Sequence, residues 1–162
     1  MPSAHVDTFA RDRLPPTDQQ PEFLFELPEL NFPAQLNCAA ELLDSHVAEG
    51  RGDRVCIRAP GLTWTYRDLL DKADRIAHVL VHEMGLVPGN RVLLRGGNSI
   101  GMALAWLAVV KAGLVAVASM PLLRARELGD IIGKSQPTVA LCDARLLDEL
   151  QLAQREHPVL QT

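Results

Sequence analysis

The sequence predicts an α/β domain of three layers, with a mostly parallel sheet, a β-hairpin and an extended N-terminal arm. Three observations carry that expectation. The run from Gly89 to Leu122 reads as strand, glycine turn, buried helix, glycine stop, buried strand and proline exit. Short apolar strands keep alternating with helical patterns as far as residue 156. Parallel pairing with right-handed crossovers is the default for such alternation.

Each element follows from local pattern. Residues 1–31 carry five prolines, at 2, 15, 16, 21 and 28, and little periodicity, so an extended arm is expected there, anchored by Phe23, Phe25 and Leu27. Leu36, Ala39, Ala40, Leu43 and Val47 recur at helical spacing between Pro33 and Glu49, and Gly50 and Gly52 end that helix. Arg54 to Ala59 and Leu62 to Thr65 flank Pro60-Gly61 as a hairpin. Thr65 then N-caps a helix, with Asp68 completing a capping box. That helix buries Leu69, Ala73, Ile76, Ala77, Leu80 and Met84, and turns Asp71, Arg75, His78 and His82 to solvent.

Val92 to Leu94 is a short apolar strand, and Asn98 or Ser99 caps the helix after it. Met102 to Ala112 is apolar on every side, so it needs cover on more than one face. Lys111 suits the negative end of that helix and Gly113 stops it. Leu114 to Ser119 is a buried strand, Met120 to Ala125 a loop held by Pro121, and Glu127 to Ser135 a helix ending before Gln136-Pro137. Thr138 to Cys142 is a further strand and Ala144 to Glu156 a last helix.

Composition narrows the function classes. A chain of 162 residues, 48% hydrophobic and 22% charged, is long enough for one real core. The net charge of −4 and the absence of a basic stripe argue against nucleic acid as a partner. No window reaches the ~18 apolar residues of a membrane span. The opening MPSAHVDTFARDRLPP has no apolar core of a secretory signal. Cys38, Cys56 and Cys142 are far apart, and reduced core thiols in a cytoplasmic protein are expected.

Several motifs resemble a known family. LTWTYRDLLDKADRIAHVL is similar to the opening signature of the adenylate-forming acid–CoA ligases, carried by Thr65, Tyr66, Asp68 and Leu69. LAVVKAGLVAVASMPL resembles their second signature, a Lys-Ala-Gly turn, carried by Lys111, Ala112, Gly113 and Pro121. GLVPGNRVLL matches their Gly-aspartate-Arg-Val turn, with Asn90 in the usual aspartate position. The arm and the stretch MPLLRARELGDII look like the benzoate–CoA and 2-aminobenzoate–CoA branch, although Gly96-Gly97-Asn98 replaces the branch's usual Pro-Asn pair. The resemblance spans residues 32 to 145, and residues 32–162 are expected to form an incomplete N-terminal subdomain.

The resemblance implies an AMP-forming acid–thiol ligase. ATP with Mg²⁺ and an aryl carboxylate give an acyl-adenylate, and coenzyme A then takes the acyl group. It places no catalytic residue and no metal ligand in this chain, because the family's phosphate loop, acidic residues and lysine lie downstream. The chain is therefore expected to be a non-catalytic scaffold fragment that binds no cofactor alone. Its partner is the remainder of its own chain, and its uncovered apolar face is expected to favour homo-oligomers. Basic residues after the second buried strand approach coenzyme A phosphates in such ligases, which singles out Arg124 and Arg126. Two other classes remain: a non-catalytic interaction subunit related to ligases, and a stand-alone nucleotide-binding domain.

Other motifs read as structure. Gly129 to Ser135 is one residue short of a phosphate loop and lies in a helical pattern. Gly96 to Ser99 opens a helix after a strand but lacks dinucleotide-site spacing, so a tight turn is expected. His78 and His82 have no third metal ligand in view and fit a solvated helix face. Trp64 and Trp106 read as packing residues.

Overall fold

The computed structural model describes residues 3–162; Met1 and Pro2 lie outside the described residues. Helix α1 (Ser45–Ala48) continues a π-helical turn over Ala40–Asp44. Strands β1 (Val55–Ala59) and β2 (Leu62–Thr65) form an antiparallel hairpin, and α2 (Tyr66–His78) follows, widening into a second π-turn over Val79–Glu83. Then come β3 (Arg91–Arg95), α3 (Ile100–Lys111), β4 (Val115–Ser119), α4 (Ala125–Ser135), β5 (Val139–Cys142) and α5 (Leu147–Glu156). The last three strands form a parallel sheet in the order β4-β3-β5.

Alternation along β3 creates the layers. Val92 and Leu94 face α3 and the end of α2, where they join Leu80, Val109 and Val139 in one core. Leu93 faces the other way, into a core with Leu128 and Ile132 of α4 and Leu150 and Ala153 of α5. A third cluster, of Leu43, Leu69, Ala73 and Ala108, joins α2 to α3 beneath the hairpin. Helix α3 is thus packed against the sheet on one side and α2 on another, which accounts for its nearly uniform apolarity. Its third side is open: Trp106 is 38% exposed, so this tryptophan is not the packing residue its sequence context suggests.

The caps follow local chemistry. Thr65 and Asp68 form the reciprocal capping box, and the Ser99 hydroxyl accepts from the Met102 N–H at the start of α3. The first helical segment begins at Cys38 rather than Pro33. Asn37 decides this: its Oδ1 accepts from the N–H groups of Ala39 and Ala40. Its Nδ2 donates to the carbonyls of Val110 and Lys111, so one side chain caps two helix ends. Cys38 is exposed, in contrast to the core position expected for it. No described helix is long and apolar enough to cross a membrane.

Buried charges fasten these layers. Arg91 and Arg95 bracket β3 on the α4/α5 face. Arg91 donates to the carbonyls of Ser135 and Gln136, each at 2.9 Å, where α4 ends with Gln136 in the left-handed region. Arg95, only 1% exposed, donates to four carbonyls: Met120, Pro121, Leu123 and Leu146. On the other face, Lys111 Nζ contacts both Asp44 oxygens at 2.5 and 2.6 Å and Asp74 at 3.1 Å, tying α3 to the first helix and to α2.

Two predictions follow from these charges. Replacing Arg95 with Met keeps the apolar stem but removes the guanidinium and orphans buried carbonyls, and should lower unfolding free energy by about 3 kcal/mol or more in urea denaturation. Desolvation pulls the Lys111 pKa down, but the bonds to Asp44 and Asp74 outweigh it and leave the group above its ordinary 10.5. A raised folded pKa stabilises below the unfolded value and is lost as pH climbs through the folded one. The wild-type chain should therefore lose stability above about pH 10.5, and Lys111→Met should lack that alkaline loss.

Candidate functional site

The carboxyl ends of parallel strands gather the chain's exposed loops, and this is where ligand sites in open α/β sheets form. Three connections meet there: Gly96–Ser99 after β3, Met120–Arg124 after β4, and Asp143–Leu146 after β5. Strands β3 and β5 are neighbours, yet the helices that follow them lie on opposite faces, so a crevice opens between their loops.

Arg95 stands at the centre of this end. On one side of it lies a cavity of ≈ 240 Å³ walled by Gly96, Ser99, Met102, Cys142 and Asp143. On the other lies one of ≈ 280 Å³ walled by Pro121, Leu122, Arg124, Arg145 and Glu149. The guanidinium has no carboxylate partner among its hydrogen bonds; carbonyl dipoles alone solvate it. Reading β3 as Val92 to Leu94 left both bracketing arginines outside the core. The sequence signal for Arg95 is its position flanking an apolar strand; Arg91 has in addition its place in the Gly-Asn-Arg-Val turn.

The carboxylates around this end are held ionised. The bonds from the Arg145 side chain, and then its backbone N–H, push Asp143 down to about 2. Glu149 is lowered by the Ala125 N–H (2.8 Å) and by Arg124, whose Nη1 donates at 2.9 Å. Burial pushes the Cys142 thiol up, against the field of Arg95.

The residues singled out in the sequence fall into two groups. Pro121, Arg124 and Arg126 lie at the carboxyl ends. The Pro121 carbonyl accepts from Arg95, Arg124 precedes the first turn of α4 with its N–H on Glu127, and Arg126 is exposed on α4. Thr65, Tyr66, Lys111 and Gly113 lie elsewhere, in caps and helix contacts. The Tyr66 ring stacks on His46 at 4.3 Å, and Gly113 has φ +73° against Pro88.

A nucleoside triphosphate with its metal finds no fitting set of groups among the described residues. Gly129 to Ser135 is helical, so its N–H groups are spent within α4, and Gly129 lies under the His157 imidazole. The Gly96–Ser99 turn shares its cavity with the ionised Asp143, whose charge opposes a phosphate. His78 and His82 sit with ring centroids 4.4 Å apart, and no three His, Cys, Asp or Glu side chains converge among the described residues.

Comparison with known proteins gives this geometry a lineage. Residues 44–162 match the sequence model of the AMP-binding enzyme family. A salicyl-AMP ligase / salicyl-S-ArCP synthetase of Mycobacterium tuberculosis is 40% identical over 74 residues, covering 46% of this chain and 13% of that protein. A 4-hydroxybenzoate–CoA/benzoate–CoA ligase of Rhodopseudomonas palustris is 25% identical over 126 residues, covering 78% of this chain and 23% of that one. In fold, the chain superposes on the anthranilate CoA ligase AuaEII, solved with anthranoyl-AMP, with a TM-score of 0.76 at 21% identity. That match covers 83% of this chain and 26% of the solved one. The chain thus spans about a quarter or less of each of these relatives, and it belongs to the AMP-binding enzyme family.

Proposed function

We propose that this chain forms the N-terminal portion of an ATP-dependent aryl acid–CoA ligase. In this reading residues 1–31 are an arm, and residues 32–162 are an α/β subdomain that scaffolds a site completed by the remainder of the same polypeptide. The whole enzyme, with ATP and Mg²⁺, activates benzoate or 2-aminobenzoate as an acyl-adenylate and passes the acyl group to coenzyme A in the cytoplasm. The observation that carries the reading is the family match over residues 44–162, in company with relatives named for salicylate and benzoate.

The surface supports a scaffold. Leu122 is 82% exposed and Met120 63%, in the loop after β4. Apolar groups this exposed at the carboxyl ends of a sheet call for cover. The remainder of the chain is the proposed cover, and a homo-oligomer through this face is the alternative when it is missing. Arg124 and Arg126 are proposed to meet the phosphates of coenzyme A, since both are exposed cations at that end. The three free cysteines suit a reducing compartment.

Reading the genomic frame past the Thr162 codon tests the proposal. A Ser/Thr/Gly-rich loop ending in Pro-Lys is expected; a stop codon there would instead favour an interaction subunit. The full-length protein should release pyrophosphate from Mg-ATP only when an aryl acid is supplied. In that protein, Arg124→Ala with Arg126→Ala should raise KM for coenzyme A about 3–10-fold, as expected for lost phosphate contacts, and leave adenylation unchanged. Calorimetric titration of the 162-residue chain with Mg-ATP, coenzyme A, benzoate and 2-aminobenzoate should give no saturable heat; saturable ATP binding would instead favour a stand-alone nucleotide-binding domain.

A further inference from the structure

The start of the arm is attached in an unusual way. No residue from Ser3 to Arg13 is fully buried: Val6 is 69% exposed, and Phe9 is only half-buried, so apolar burial is a minor part of what holds this segment. What holds it is a cluster of polar contacts around Asp7. The N–H groups of Val6 and Asp7 both donate to the Pro88 carbonyl at 2.9 Å. The Asp7 carboxylate accepts from Asn90 Nδ2 at 2.7 Å, from Arg91 Nη1 and from the Phe9 N–H. Arg91 also lies over the Phe9 ring at 4.3 Å, and Arg13 lies on that ring at 3.5 Å.

The receiving surface is shaped for this crossing. Gly89 has φ +94°, and a Cβ there would collide with the Asp7 carbonyl oxygen. Asn90 presents an amide donor to Asp7, where an aspartate would oppose one carboxylate with another. Its Oδ1 is already occupied by the Val87 N–H, which orients Nδ2 toward the arm.

Beyond the pin, Ser3, Ala4 and His5 form one wall of a cavity of ≈ 610 Å³. The opposite walls are the stretch Ala34–Cys38 and the end of α3 from Val110 to Leu114. We propose that residues 3–13 are a releasable strap that covers this cavity, with Asp7 as its pin on Asn90 and Arg91. A segment held by charge-assisted bonds and one half-buried ring, with no fully buried apolar group, opens by losing one contact set without disturbing the core. Cys38 in the cavity wall is exposed even with the strap in place, whereas the half-buried wall from Val110 to Gly113 reports on the opening through its hydrogen exchange.

Limited trypsin digestion after Arg11 and Arg13, with hydrogen exchange of the cavity wall at residues 110–114, tests the strap on the 162-residue chain. Asp7→Ala should raise the cleavage rate about tenfold and speed exchange in that wall. Asn90→Asp should shift both in the same direction from the other side of the pin. Thr8→Ala, which removes only an exposed bond to Asp12 and leaves the residues beside both cleavage sites unchanged, should change neither. Unchanged cleavage in both pin variants would overturn the pin, as would wild-type cleavage already as fast as that of Asp7→Ala. Faster cleavage with unchanged hydrogen exchange at residues 110–114 would overturn the strap's role as a cover.

Discussion

Two guanidinium groups at opposite ends of one strand hold the connections of this structure in place. β3 is the middle strand, and all five of its residues are buried. A buried strand flanked by turns gives its neighbours register but does not hold their loops. Arg91 and Arg95 supply that. The first reaches the end of α4 and the start of the arm; the second reaches the loops after β4 and β5. Arginine suits the task because its rigid fork presents five donors and keeps its charge. A lysine has three donors on a flexible stem and could not span four carbonyls spread over two loops.

Lys111 plays the matching part on the other face. It closes α3 against Asp44 and Asp74, while Asn37 caps the same helix end from the arm side. The apolar clusters set how the layers stack, and these polar ties set where the chain enters and leaves each layer. A charge taken from water has to be repaid by several well-placed partners, so each tie is specific in a way that apolar contact is not.

The sheet, the two faces of α3 and the caps at Thr65 and Ser99 were legible in the sequence. Hydrophobic period and short-range capping are local signals, and the fold obeys them. The fold class was legible because β4, α3 and the middle of β3 are so purely apolar, and the ligase resemblance because Thr65, Tyr66, Asp68, Leu69 and the Lys111-Ala112-Gly113 turn stand at the family's spacing. The sequence did not disclose the work of Arg91, Arg95 and Asp7. A charged residue beside an apolar run reads as solvent-facing, and carbonyl partners 25 to 51 residues away and a carboxylate 84 away leave no mark on local pattern. The late start of the first helix was hidden for a similar reason, since Asn37 caps it while answering to α3. Trp106 misled because the covering of a helix face depends on what packs there, and nothing in its own spacing states that.

Arg95 has a consequence beyond holding loops. It is a full positive charge placed inside the protein with its hydrogen bonds on carbonyl dipoles, so the carboxyl end of the sheet carries a standing bias. That bias adds to the bonds that hold Glu149 anionic, and it works on Cys142 against the burial that keeps the thiol raised. It behaves like a battery wired into the scaffold. Whatever anionic chemistry is assembled above these strands would begin with part of its electrostatic work already done.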